Sequence, residues 1–120
     1  MAKILVVDDS EFMRELVKKT LSNGGFKDIV EASNGDDAIA QFTKTKPNLV
    51  LLDIILGPPK TGLDVLKAIR AKDAKAKFIM VTVVDQPKVT QEAKKIGAKA
   101  FVNKPNNPNK LLAEVKKALQ

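Results

Sequence analysis

The stretch Leu49-Val50-Leu51-Leu52-Asp53-Ile54-Ile55-Leu56 is apolar at every position but one. An apolar run of this length, with no polar alternation, suits a strand covered on both faces, as in parallel sheets flanked by helices. The exception, Asp53, is a carboxylate that is costly to bury unless a cation, hydrogen bonds or a reaction partner compensates it. A second run, Ile4-Leu5-Val6-Val7, has the same character and ends in Asp8-Asp9. Three acids closing two buried strands suggest a metal site with a reactive carboxylate.

Outward from these runs, strand-length apolar segments alternate with helix-period segments five times. Lys3–Asp8 reads as the first strand. A helix follows with Phe12, Leu16, Val17, Thr20 and Leu21 on one face, capped by Asp9 or Ser10 and stopped by Gly24-Gly25. Ile29–Ala32 is a short second strand, and Asn34-Gly35 leads into a helix bearing Ala38, Ile39 and Phe42. Leu49–Asp53 is the third strand, separated by the loop Gly57-Pro58-Pro59-Lys60-Thr61-Gly62 from a helix carrying Leu63, Leu66 and Ile69. Phe78–Thr82 is the fourth strand, and a helix opening at Pro87 carries Val89, Ala93 and Ile96. Ala100–Val102 is the fifth strand, and Pro108 opens a last helix with Leu111, Leu112, Val115 and Leu119. This pattern predicts one α/β domain over 1–120, a five-stranded parallel sheet with five helices on its two faces.

Composition narrows the chemistry. With no cysteine and no histidine among 120 residues, disulfides, thiolate sites, histidine bases and the usual zinc ligand sets are excluded. No apolar stretch approaches the ~18 residues needed to span a bilayer, and the amino terminus enters a strand without a signal-peptide pattern. The expectation is a cytoplasmic protein without membrane insertion. The net charge of +7 invites a nucleic-acid reading, but the lysines are scattered along several helices and the aromatics are five Phe with no Tyr or Trp. Solvated helix faces explain that pattern better than a nucleic-acid surface does, although the charge can still steer the chain towards acidic partners.

In a doubly wound sheet, ligands gather beyond the carboxyl ends of the strands, where the strand order reverses. The polar residues fall there: Asp8 and Asp9 after the first strand, Asp53 after the third, Thr82 at the end of the fourth and Lys104 after the fifth. Three carboxylates in one crevice raise each other's pKa unless a cation relieves them. Mg2+ suits the role because it takes one or two carboxylates, keeps waters and accepts phosphate oxygens. A carboxylate beside it can attack phosphorus, while an ammonium (Lys104) and a hydroxyl (Thr82) meet the charge of the transferred group.

At this point the chain resembles the receiver domains of two-component response regulators, in pattern the stand-alone chemotaxis regulators of the CheY type. The resemblance rests on Val6-Val7-Asp8-Asp9-Ser10, Leu51-Leu52-Asp53-Ile54, Val81-Thr82 and Phe101-Val102-Asn103-Lys104-Pro105, in order along the whole chain. It implies the flavodoxin-like (CheY-like) strand order 2-1-3-4-5. It further implies Asp53 as phosphoacceptor, Asp9 as a direct Mg2+ ligand, Asp8 as a ligand through water, and the Ile55 backbone carbonyl as another. Thr82 and Lys104 hold the phosphoryl oxygens, and Phe101 is a switch aromatic that turns inward as Thr82 moves. Phosphate arrives from a histidine kinase or phosphotransfer protein. The signal leaves through the face of the fourth helix, fifth strand and fifth helix to a separate protein, since no output domain follows Gln120. Chemotaxis or another phosphorelay is the implied setting, with the chain a monomer or a phosphorylation-dependent dimer and not a turnover enzyme.

Residue by residue, plainer readings stand beside these: Asp9 as a helix cap, Asp53 as a structural acid paired to Lys104, Lys104-Pro105 as a surface turn, Phe101 as core. Other functions are a degenerate receiver serving as scaffold or phosphate sink, a Mg2+-dependent phosphatase with an aspartyl nucleophile, and a flavodoxin-like carrier. The phosphatase lacks its cap domain and the spacing of its first-strand acids; the carrier lacks aromatic flavin shelves. The chain departs from the family in the longer loop 57–62, in Val83 where a small residue is usual, and in Asn106 after Lys104-Pro105. Apolar Ile55 and Val84, each two positions beyond a site residue, flank the approach of hydrolytic water, so self-dephosphorylation is expected to be slow. A phosphate-loss time course should be slower for the natural chain than for Ile55→Asn or Val84→Glu; equal or faster loss from the natural chain would contradict this.

Overall fold

Each of the five apolar runs forms a strand in the computed structural model, which describes residues 2–54, 56, 60–82, 87–103 and 108–119, with positions 82, 87, 89, 90, 101 and 103 described by backbone alone. In chain order the elements are β1 (Lys3–Val7), α1 (Glu11–Asn23), β2 (Asp28–Ala32), α2 (Gly35–Thr45), β3 (Leu49–Leu52), α3 (Gly62–Lys72), β4 (Phe78–Thr82), α4 (Pro87–Ile96), β5 (Ala98–Asn103) and α5 (Pro108–Leu119). All strands are parallel, in the order β2-β1-β3-β4-β5.

The strand pleat divides the core in two. Leu5, Val7, Val50, Leu52, Phe78 and Met80 point to one face and pack under α2, α3 and α4 through Phe42, Val65, Leu66, Ile69 and Ala93. Ile4, Val6, Leu49, Leu51, Ile79 and Val81 point to the other, under α1 and α5 through Val17, Leu21, Leu111 and Val115. Burial on both faces is why β1 and β3 read as unbroken apolar runs.

Helix starts follow local hydrogen bonding. The Ser10 hydroxyl accepts the Met13 amide at 3.2 Å, settling the choice between Asp9 and Ser10 as the cap of α1. Asn34 caps α2 by accepting from the Asp37 amide at 2.8 Å. Thr61 and Asp64 form a reciprocal capping box at the start of α3.

Three sequence expectations shift. Phe12 does not join the buried face of α1; it is 74% exposed, while Val17, Thr20 and Leu21 are buried. It lies roughly 140° around the helix from Val17, in the first turn, to the side of the stripe that meets the sheet. β5 begins at Ala98 rather than Ala100, because a register shift at Phe78/Ile79 lets Ala98 pair with Phe78. Asp8 and Asp53 fall one residue past their strands, yet their amides still donate to Ala32 O at 3.2 Å and Val7 O at 3.1 Å.

The turn after β3 is closed by Gly62, whose amide donates to Ile54 O at 2.8 Å. A Cβ at this position would strike the Asp53 carbonyl oxygen and come within 2.7 Å of the Ile54 Cα. Both are backbone atoms with no rotamer to yield. Gly62→Ala should therefore destabilise the fold by about 1–3 kcal/mol, by analogy with overpacking, read as a lower midpoint in thermal or urea unfolding. An unchanged midpoint would show that the turn can relax.

Candidate functional site

Register places the acids. Val7 pairs with Leu52 across β1 and β3, so Asp8 and Asp53, each one step further, stand level at the carboxyl edge. This is where the strand order reverses, with β2 beyond β1 on one side and β4 beyond β3 on the other. Asp8 is 4% exposed and Asp53 7%, whereas Asp9 is exposed. One carboxylate oxygen from each of Asp8, Asp9 and Asp53 lies within 4.8 Å of the others.

That donor set fits a small hard cation. It is all oxygen, partly buried and partly open, and the exposed Asp9 leaves room for waters or a phosphate oxygen on the same ion. The helix that follows contributes too. Ser10 and α1 start directly after the acids, so the amino end of the α1 dipole lies beside them and favours negative charge. The Ser10 amide donates to Asp8 Oδ1 at 2.9 Å, which fixes one carboxylate rotamer.

Two residues that the sequence reading did not single out hold this turn in place. Arg14, on the first turns of α1, donates from Nη1 to the backbone oxygen of Asp8 at 2.6 Å and from Nε to Glu31 Oε1 at 3.2 Å. Glu31, on β2, also accepts from Lys18 Nζ at 2.9 Å. The Lys18 hydrogen bond, with Arg14 in support, holds the Glu31 carboxyl below its usual range, so Glu31 stays charged at neutral pH. The Lys18 ammonium is correspondingly raised by Glu31 and Glu15. Arg14 thus clamps the Asp8-Asp9 turn to the neighbouring strand. Position alone does not reveal it: Arg14 and Glu31 lie on different elements and meet only because β2 pairs with β1.

The other expected site residues are reached in part. Thr82 ends β4, and its backbone pairs with Asn103 of β5, the residue just before Lys104 in sequence. Phe101 pairs with Met80 in the same ladder. The side chains of Thr82 and Phe101, and all of Ile55, Val83, Val84, Lys104 and Asn106, lie outside the described residues, as do Gly57-Pro58-Pro59 of the long loop. The structure thus brings together Asp8, Asp9 and Asp53.

Comparison with known proteins points the same way. Residues 4–116 match the response regulator receiver domain family. The chemotaxis protein CheY of Listeria monocytogenes is 39% identical over 118 residues, 98% of each chain. The CheY of Bacillus subtilis is 37% identical over 117 residues, 98% of this chain and 97% of that one. Among solved structures, chemotaxis protein CheY4 of Vibrio cholerae superposes with a TM-score of 0.89 at 33% identity, over 99% of both chains. The CheX–CheY–BeF3–Mg2+ complex from Borrelia burgdorferi contains a chain matching with a TM-score of 0.93 at 27% identity, over 99% of this chain and 90% of that one. No described helix is long and apolar enough to cross a membrane. With its acids at the reversal point of a 2-1-3-4-5 sheet and a match running through nearly all its length, the chain belongs to the response regulator receiver domain family of two-component signalling.

Proposed function

We propose that this chain is a phosphorylation-controlled switch in which Asp53 accepts a phosphoryl group from a histidine kinase or phosphotransfer protein. The observation that carries this is the meeting of Asp8, Asp9 and Asp53 oxygens within 4.8 Å at the carboxyl edge of the sheet. In the proposed step a carboxylate oxygen of Asp53 attacks the phosphorus of a phosphohistidine. The new P–O bond forms as the P–N bond breaks, and the departing imidazole takes up a proton. Mg2+, held by Asp9, Asp53, the Ile55 carbonyl and, through water, Asp8, would neutralise charge on the transferring group. Lys104 and Thr82 donate to the phosphoryl oxygens, and movement of Thr82 is coupled to the Phe101 ring. The new charge biases a two-state element, and the face of α4, β5 and α5 carries the change to a separate protein.

Sequence similarity to CheY proteins supports chemotaxis as the setting, in the cytoplasm, and the CheX–CheY complex supports contact with a protein partner. The chain acts as a single domain over 1–120. It promotes its own phosphorylation and dephosphorylation without turning over a separate substrate.

Incubation with Mg2+ and a small acyl phosphate, followed by intact-mass measurement, should reveal one phosphoryl adduct that disappears in Asp53→Ala and on chelation. An adduct unchanged in Asp53→Ala, or none in the natural chain, would overturn the proposal; steady release of phosphate from a phosphomonoester would instead favour a phosphatase. Arg14→Met should weaken Mg2+ binding on the order of tenfold, because it frees the turn that carries Asp8 and Asp9. Mg2+ titration of the unphosphorylated protein reads this directly, and unaltered affinity would reduce Arg14 to a structural role.

A further inference from the structure

The lysines that look scattered in the sequence gather when the chain folds. In a parallel sheet with returning helices, every helix ends at the edge where the next strand begins, opposite the Asp53 site. Helices α2 to α5 all carry lysine or arginine in their last turn. Further lysines precede or open the following strands. The result is concrete around three adjoining surface hollows. Lys46 and Lys72 line the first, which shares Pro47 and Asp73 with the second. Lys75 and Lys77 line the second, which shares Lys77 with the third, where Lys99 and Lys117 stand. Five of these six lysines are exposed and Lys77 is half-buried. Asp73 and Glu114 are the only acids on the three rims among the described residues, and none of the six lysines is joined to an acid in an ion pair there.

We propose that this end of the molecule is a docking face for an anionic lipid surface, adsorbed without insertion and with the Asp53 site turned away from the bilayer. Three observations select that occupant. First, the charge is spread across an end of a molecule measuring 31 × 31 × 27 Å, rather than converging on one point, which suits an extended anionic surface. Second, it is carried by lysine alone. The two arginines, which could grip phosphate or base edges in a bidentate fork, are engaged internally, Arg14 at Asp8 and Arg70 through Nη1 to Ala76 O at 2.7 Å. Third, the exposed large apolar side chain among the described residues, Phe12, lies at the opposite end. A protein partner draws most of its binding from aromatic or arginine anchors, and single-stranded nucleic acid from aromatic stacking; the aromatic ring in the wall of these hollows, Phe42, is buried in the core and not presented for either. Juxtaposed lysines need only the negative surface potential of acidic headgroups.

The test is co-sedimentation of the unmodified chain with vesicles of mixed phosphatidylglycerol and phosphatidylcholine, against phosphatidylcholine alone. At about 50 mM salt the bound fraction should be at least roughly tenfold higher on the anionic vesicles, and it should vanish near 500 mM, where screening shortens the reach of charge. Lys75→Glu/Lys77→Glu should lower binding by more than about tenfold, since each lysine at such a surface contributes severalfold. Lys99→Glu/Lys117→Glu, on the neighbouring hollow, should act alike if the first pair perturbs folding by circular dichroism. Lys88→Glu/Lys110→Glu changes net charge equally but sits in the first turns of α4 and α5, by the opposite edge, and should retain binding. Equal loss in that control would show that net charge, not this face, drives adsorption and would overturn the proposal. So would binding to duplex DNA or polyglutamate in the absence of any binding to anionic vesicles.

Discussion

The pairing of β1 with β3 is the constraint on which the rest of this molecule depends. Because Val7 lies level with Leu52, two largely buried carboxylates, Asp8 and Asp53, are brought to one edge with Asp9 beside them. Two unit charges 5 Å apart repel by roughly 3 kcal/mol at an effective dielectric near 20, a sizeable fraction of a small domain's stability. The apolar ladders of both strands supply the burial that holds this arrangement. A single-residue slip of β3 would turn its side chains to the opposite faces and part the acids. The fold therefore holds three acids together at one edge, an all-oxygen donor set compatible with a hard divalent cation.

Around that constellation the backbone is pinned from two sides. Gly62 lets the start of α3 lie against the Asp53 carbonyl, and Arg14 ties the Asp8 carbonyl to Glu31 of β2. Both contacts act on main-chain atoms, the Asp53 and Asp8 carbonyl oxygens, and not on the carboxylates. The lysine-rich end lies across a molecule about 30 Å thick, and the screening length at physiological salt is about 8 Å. The two ends therefore act as separate electrostatic surfaces, one bearing the acid cluster, the other basic and broad.

The strand and helix plan was legible because both faces of the sheet are covered and the apolar runs are consequently uninterrupted. Asp53 was legible as the single violation of such a run, and Asp8-Asp9 as the polar close of another. Phe12 misled because its spacing from Leu16 suits a shared face, whereas the stripe that meets the sheet, Val17, Thr20 and Leu21, is centred well round the helix from it. The sequence places β5 at Ala100–Val102, whereas a register shift at Phe78/Ile79 lets Ala98 join the ladder as well.

Sequence alone determined the fold class, the acids and their order along the chain, since periodicity and local charge violations are properties of neighbouring residues. Only the tertiary structure decided that Asp8 and Asp53 stand level and that Arg14 reaches both the Asp8 carbonyl and Glu31. It also decided that lysines from the ends of α2, α3 and α5, the turn before β4 and the start of β5 meet at one end. Each of these depends on strand order and on the return direction of the helices, which bring together residues far apart in the chain. Distance through space sets electrostatic and hydrogen-bond energies, and folding alone turns sequence separation into that distance.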